Sequence, residues 1–214
     1  MAVTAAVFDL DGTLVLTEER NRVVWQRFFA GYAIEVDAGL TAQLTGRRGL
    51  DALKELSHLF PDRDPHELLD EVLAHESSDD LPAVAPVPGA QQLVRRLHSA
   101  RVPLGLVTSA LPAQVATRLL EAGLLDVFDA VVTGSDVMVG KPDPEGFRMA
   151  CEQLGVPCRR GVGFEDSPAG VAAVKAAGMR CVAVTTTFPR EVLADADLVV
   201  DDLTEVHWPI EEVA

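Results

Sequence analysis

Residues Ala5 to Val15 read A-A-V-F-D-L-D-G-T-L-V. An apolar run stops at Asp9, a second acid follows at Asp11, and Gly12 and Thr13 come next. A strand buried on both faces reads as such a continuous apolar run. Side chains alternate along an extended chain, so Asp9 and Asp11 share a direction if extension continues past Phe8. Gly12 then permits an immediate turn. Two unpaired carboxylates a few Å apart repel, and one takes up a proton. A divalent cation removes that conflict, and hard oxygen ligands favour Mg²⁺ or Ca²⁺. An EF-hand loop needs Gly sixth and Glu twelfth. Counted from Asp9, the fourth residue is Gly12 and the twelfth is Arg20, and the lead-in is strand-like, so that loop is excluded. Asp-Gly is also a common turn dipeptide. Alone, the pair reads equally well as solvated turn acids.

Working outward, Thr4 to Phe8 reads as the strand. Glu18 to Ala30 reads as a helix, with Val23, Val24, Phe28 and Phe29 at helical spacing. Leu50 to Phe60 and His66 to His75 read as two more helices, and no clear strand is expected between Leu16 and Ala83. The proline-rich segment Pro82 to Ala90 reads as a linker. Beyond it, helices are expected at Gln91 to Ser99, Pro112 to Ala122, Pro144 to Leu154 and Ala169 to Ala177. Strands are expected at Leu104 to Thr108, Ala130 to Thr133, Gly161 to Phe164, Cys181 to Val184 and Leu198 to Val200. Strands alternating with helices imply an α/β fold: a Rossmann-like parallel sheet with helices on both faces. The helical insert follows the first strand, above that strand's carboxyl end, where open α/β sheets bind ligands. The expected division is a core of residues 1–15 and 84–214 and a helical cap of residues 16–83.

The chain of 214 residues is 48% hydrophobic, enough for one core plus a small lobe. Its 33 acidic against 18 basic side chains give a net charge of −15. That balance argues against a nucleic-acid groove and against an anionic membrane surface, and is explained by solubility. Cys151, Cys158 and Cys181 are odd in number and form no C-x-x-C pair, which fits a reduced compartment and small core or surface residues. No secretory leader pattern or long apolar span stands out. A cytoplasmic location is expected.

Three later stretches bear on Asp9 and Asp11. In L-G-L-V-T-S-A, Leu104 to Ala110, an apolar strand ends in Thr108 and Ser109, whose hydroxyls and backbone N–H groups suit phosphate oxygens and equally suit a turn or helix cap. In V-G-K-P-D-P, Val139 to Pro144, Pro142 biases Lys141 toward an extended conformation on a loop; an ordinary surface lysine is the alternative. In V-G-F-E-D-S-P-A-G, Val162 to Gly170, a strand again ends in acids, Glu165 and Asp166, with Ser167 placed to cap the next helix. Each stretch is weak alone. Together they place acids, hydroxyl, lysine and acids at strand ends of one sheet, and their convergence at its carboxyl edge reads as an active site.

The order D-L-D-G-T, strand-Thr-Ser, Lys-Pro, Glu-Asp resembles the haloacid dehalogenase-like hydrolase superfamily over residues 4–184. The helical insert resembles the C1-type cap of its β-phosphoglucomutase-like and sugar-phosphatase branch. The resemblance implies Asp9 as nucleophile. It implies Asp11 as general acid/base, also offering its backbone carbonyl to the metal. Thr108 would be the phosphate-binding hydroxyl with Ser109 beside it, Lys141 the lysine neutralising nucleophile and phosphate, and Asp166 with Glu165 the acids that hold Mg²⁺. The chemistry agrees: a carboxylate attacking phosphorus splits hydrolysis into two steps, provided that the phosphoryl charge is offset.

The chain departs from the family in places. Leu16 and Thr17 stand where the family often has Asp-Ser, which opens the question of hydrogen bonding at the cap hinge. The mutase branch carries a histidine ten places after the acid/base aspartate, where this chain has Asn21, and a cap arginine that would fall at Gly49. Both differences disfavour a mutase. Asn21, Arg47 and Arg48 remain candidates to reach a sugar or polyol phosphate, and the two arginines read equally well as a surface pair leading a helix. His58, His66 and His75 lack metal-ligand spacing and read as solvated helix positions. The expectation is a Mg²⁺-dependent phosphatase acting on a small phosphorylated metabolite, a sugar or polyol phosphate, with the cap closing over it. The chain would be a monomer or weak homodimer without nucleic-acid or membrane partners. The alternatives are a phosphomutase, a phosphoglycolate-type phosphatase, and a metabolite-binding protein without catalysis.

Overall fold

The structure is a computed structural model that describes residues 4–210. Strand β1, Ala5–Phe8, is fully buried. After it the chain enters a two-residue strand β2, Val15–Leu16, and then four helices: α1 Glu18–Gly31, α2 Ala38–Leu44, α3 Gly49–Glu55 and α4 Pro65–Glu76. It returns through strand β3, Ala85–Pro86, which pairs antiparallel with β2. The way out and the way back therefore lie side by side.

The remainder alternates. Helix α5 (Ala90–Ser99) precedes β4 (Leu104–Val107), and α6 (Pro112–Glu121) precedes β5 (Ala130–Val132). Helix α7 (Glu145–Gln153) precedes β6 (Gly161–Glu165), and α8 (Pro168–Ala176) precedes β7 (Arg180–Val184). Strand β8, Leu198–Val200, comes last. Six strands form one parallel sheet in the order β5-β4-β1-β6-β7-β8. Counting only these six, the order is third, second, first, fourth, fifth, sixth: the doubly wound arrangement, whose switch point lies between β1 and β6.

The period of two along each strand divides the core. Ala6 and Phe8 pack with Leu93 and Leu97 of α5 and Leu119 of α6, whereas Val7 packs with Phe147 of α7 and Val174 of α8. Phe8 stacks on Phe164 of the neighbouring strand, with ring centroids 4.3 Å apart. Such double coverage explains why these strands are apolar throughout. Cys151 and Cys181 are buried, and all three cysteines are free.

The four helices after β2 have a hydrophobic cluster of their own, including Phe28, Phe29, Leu53, Phe60 and Leu68. Two differences from the sequence reading fall here. Helix α2 went unread: it has only seven residues, contains Gly39, and starts because the Asp37 side chain accepts the N–H of Leu40 at 2.8 Å. The helix expected over Leu50 to Phe60 divides into α3 and a 3₁₀ turn, Leu56–Leu59, a common way for a helix to tighten at its end. The short pairing of β2 with β3 was also unexpected, because two-residue strands leave no periodic pattern. Among the described residues, no helix is long and apolar enough to cross a membrane.

Candidate active site

Asp9 directly follows β1, Thr108 follows β4, Lys141 lies in the loop after β5, Glu165 ends β6 and Asp166 directly follows it. All stand at the carboxyl edge, with Asp9 and Asp166 on either side of the switch point. The Asp9 N–H donates to the Phe164 carbonyl at 2.9 Å, which ties the two strand ends together.

Lys141 is buried, not the surface lysine of the alternative reading. Its ammonium donates to Asp9 Oδ1 and to Glu165 Oε1. The other oxygen of Glu165 accepts the N–H groups of Asp166 and Ser167, at 3.0 and 3.2 Å, and the Ser167 hydroxyl at 3.0 Å. Ser167 also caps α8, accepting the Gly170 N–H at 3.1 Å. Glu165, expected to face the metal, thus has both oxygens on protein donors. Its contacts tie Lys141 to the start of α8. Asp166 accepts from the Thr13 hydroxyl at 3.3 Å. Gly12 has φ +86°, and a Cβ there would run into the Asp166 carboxylate, so only glycine lets the first turn approach so closely.

Asp9, Glu165 and Asp166 each offer a carboxylate oxygen within 4.8 Å of the others, and all three are buried. Three carboxylates face one ammonium, leaving two negative charges uncompensated in an apolar interior. Burial pushes the Asp9 carboxyl up to about 7 against the pull of Lys141, with smaller pushes from Glu165 and Asp11. Burial, then Glu165 and Asp9, lifts Asp166 well above the usual carboxylate range. Burial opposes the Lys141 ammonium, but Asp9 and Glu165 outweigh it and raise its pKa. A hard divalent cation supplies the missing charge and suits an all-oxygen donor set, so the residues present fit Mg²⁺.

Asp11 is partly exposed. Its Oδ1 accepts from the Thr17 hydroxyl at 2.7 Å, and its Oδ2 from Arg118 Nη1 at 2.6 Å. The first contact bears on the question raised by Leu16 and Thr17: the Thr17 hydroxyl bonds Asp11 just before α1. Thr108 Oγ1 accepts the Ala110 N–H at 3.1 Å, fixing the hydroxyl in a local turn with its own hydrogen still to give.

A cavity of about 360 Å³ opens beneath the four helices, bordered by Asp9, Asp11, Thr108, Ser109 and Asp166 on the sheet side. Asn21, Trp25 and Arg47 border it on the helical side. Lys141 does not line it and reaches it through its bond to Asp9. Gly46 closes the roof; a Cβ there would come within 2.6 Å of Ser167. Arg47 forms a two-pronged pair with Glu55, with Nη1 at 2.8 Å and Nη2 at 2.5 Å. Arg48 also borders the cavity, with its donors engaged within the protein. Its five donors go to both oxygens of Asp51, at 2.9 and 2.7 Å, and to the carbonyls of Gly134, Val137 and Met138. It braces the helices against the loop that carries Lys141. Asn21 Nδ2 lies 3.5 Å from Thr17 Oγ1. His58 and His66 are exposed and His75 is half-buried.

Arg118 and Glu76 went unread, and Thr17 was noted without its partner. Thr17 offered a signal, a hydroxyl close behind the two acids. So did Arg118, a charge on the apolar stripe that Val115 and Leu119 define in α6.

Comparison with known proteins agrees with this geometry. A family model described as haloacid dehalogenase-like hydrolase matches residues 3–178. Validoxylamine A 7'-phosphate phosphatase of Streptomyces hygroscopicus subsp. limoneus is 42% identical over 204 residues, 95% of this chain and 96% of that protein. Fructose-1-phosphate phosphatase YqaB of Escherichia coli is 34% identical, over 83% of this chain and 94% of that protein. Among solved structures, CbbY from Rhodobacter sphaeroides in complex with phosphate superposes with TM-score 0.82 at 26% identity, covering 95% of this chain and 96% of that one. The β-phosphoglucomutase pgmB from Clostridium difficile, at 24% identity, TM-score 0.82 and coverage of 96% and 94%, shares the fold. With its family motifs brought together at one sheet edge, and a family model matched over most of its length, this chain belongs to the haloacid dehalogenase-like hydrolases.

Proposed function

We propose that the chain is a Mg²⁺-dependent phosphatase of a small phosphorylated metabolite, a sugar or polyol phosphate, working through an aspartyl-phosphate on Asp9. The observation that carries this reading is the buried trio Asp9, Glu165 and Asp166 gathered around a single lysine, with Asp9 and Asp166 on the wall of a 360 Å³ cavity. The relatives named for phosphatases of validoxylamine A 7'-phosphate and fructose 1-phosphate support the substrate class.

Asp9 and Asp166 would hold the ion, with the Asp11 backbone carbonyl as a further ligand. When bound, Mg²⁺ offsets the charge of the phosphoryl oxygens. Asp9 attacks phosphorus; one carboxylate oxygen forms the new P–O bond while the bond to the leaving oxygen breaks. Asp11 protonates that leaving oxygen, then takes a proton from the water that opens the acyl phosphate. Thr108 and Ser109 orient the phosphoryl oxygens, and Lys141 keeps Asp9 aimed and its negative charge balanced. The helical unit of residues 16–83 serves as a cap that excludes bulk water and supplies contacts to the rest of the substrate from Asn21 and Arg47.

A mutase must hold a second phosphate. Arg47, Arg48 and Arg118, which border the cavity, are each paired within the protein, and Asn21 and Gly49 stand at the mutase positions. The test is a screen of sugar, polyol, glycolate and nucleotide phosphates for Mg²⁺-dependent, chelator-sensitive phosphate release, with Asp9→Asn as control. Isomerisation of β-glucose 1-phosphate without free phosphate would replace this reading with the mutase. No turnover by any substrate would favour a binding protein.

A further inference from the structure

Helix α6 lays Val115 and Leu119 into the core, and Arg118 on the same stripe is only 4% exposed. A guanidinium at that depth needs carboxylate partners. It has two, and they come from different parts of the molecule. Nη1 donates to Asp11 Oδ2 at 2.6 Å, beyond β1, and Nη2 to Glu76 Oε1 at 2.6 Å, the last residue of α4. The second oxygen of Glu76 accepts from Gln114, whose own oxygen accepts the Leu111 N–H at 2.5 Å at the start of α6. The free oxygen of Asp11 accepts from Thr17, the residue before α1. Both ends of the helical unit therefore terminate on Asp11, directly through Thr17 and through Arg118 from Glu76. Without the guanidinium, Asp11 and Glu76 would face each other as unpaired carboxylates.

We propose that Arg118 is a positioning residue for proton transfer at Asp11, aiming its carboxyl group when Glu76, and with it the helical unit, is seated on the core. Seating of the helices and readiness of the acid are then one event. The proposal rests on the reading of Asp11 as general acid/base. In the affected step, Asp11 carries its proton on Oδ1, the oxygen that Arg118 does not hold; the Asp9–phosphorus bond forms, the bond to the leaving oxygen breaks, and that oxygen keeps the electron pair and takes this proton. An alkoxide needs that proton; a dinitrophenolate leaves without it.

The test compares kcat/KM, which reports the steps up to leaving-group departure, for the best alkyl phosphate of the screen and for 2,4-dinitrophenyl phosphate. Arg118→Met should lose about 10²-fold on the alkyl ester, within the range general acid catalysis supplies, and under about 5-fold on the aryl ester. Arg118→Lys, which keeps the charge but not the fork that spans two carboxylates, should recover part of the loss. Glu76→Gln should show the same selectivity in smaller measure, and carries the test should Arg118→Met fail to fold. Equal losses on both esters, with Asp11→Asn selective for the alkyl ester, would overturn the proposal. Equal losses in Asp11→Asn itself would overturn the underlying reading of Asp11.

Discussion

Lys141 reaches across 132 residues of sequence to donate to Asp9 Oδ1, and the same ammonium is the only cation held against the three buried acids among the described residues. Because the partners are desolvated, this pair acts as a unit. Removing Lys141 leaves buried carboxylates uncompensated, which costs about 3–5 kcal/mol. Lys141→Met should lower the denaturation midpoint accordingly in chelator and abolish turnover, with Mg²⁺ restoring part of the stability but not the activity. Urea titrations with and without Mg²⁺ check this.

Asp9→Asn should separate stability from function. The Asp9 carboxyl is raised to about 7 by burial, so its ionised form is disfavoured in the folded protein. A neutral amide removes that cost. The variant should be inactive yet at least as stable as the parent in chelator above pH 7, as read by thermal unfolding.

The same shift gives a pH dependence with a definite sign. Between the ordinary value of 3.8 and the folded value of about 7, the folded state binds more protons than the unfolded one. The Asp9 contribution to stability of the metal-free protein is therefore present below the lower value and is lost as pH rises through about 7. Mg²⁺ binding, which needs the ionised group, should tighten over that window and release protons. Calorimetry in buffers of different ionisation enthalpy measures the release.

Thr17→Val keeps the buried shape and removes the hydroxyl that Asp11 accepts at 2.7 Å. A drop in kcat of about 10-fold is expected, with stability changed by about 1 kcal/mol, the usual worth of one hydrogen bond. Steady-state kinetics beside a thermal melt distinguish this from general damage.

Arg48→Ala removes the brace between the helices and the carbonyls of Gly134, Val137 and Met138. Amide exchange should quicken at residues 134–140 and around α3, and KM should rise more than kcat falls. Unchanged exchange at both places would deny Arg48 that part.

The strands, their order of appearance and the strand-end acids were legible in the one-dimensional pattern, because a doubly covered parallel sheet leaves unbroken apolar runs and its chemistry follows at their ends. Asp9, Asp11, Thr108, Glu165 and Asp166 stood out that way, and Lys141, on a loop well past β5, through its Lys-Pro pair and the family resemblance. Helix α2 and the β2–β3 pairing were not, since seven and two residues carry too little periodicity. Tertiary structure alone decided what each acid touches. Glu165 and Asp166 are adjacent in the chain, but strand alternation turns one onto Lys141 and the start of α8 and leaves the other facing Gly12. It likewise decided that Arg48 grips backbone carbonyls and that Arg118 joins Asp11 to Glu76. These pairings span 42 to 107 residues of chain, and only packing can bring such charges together and strip them of water.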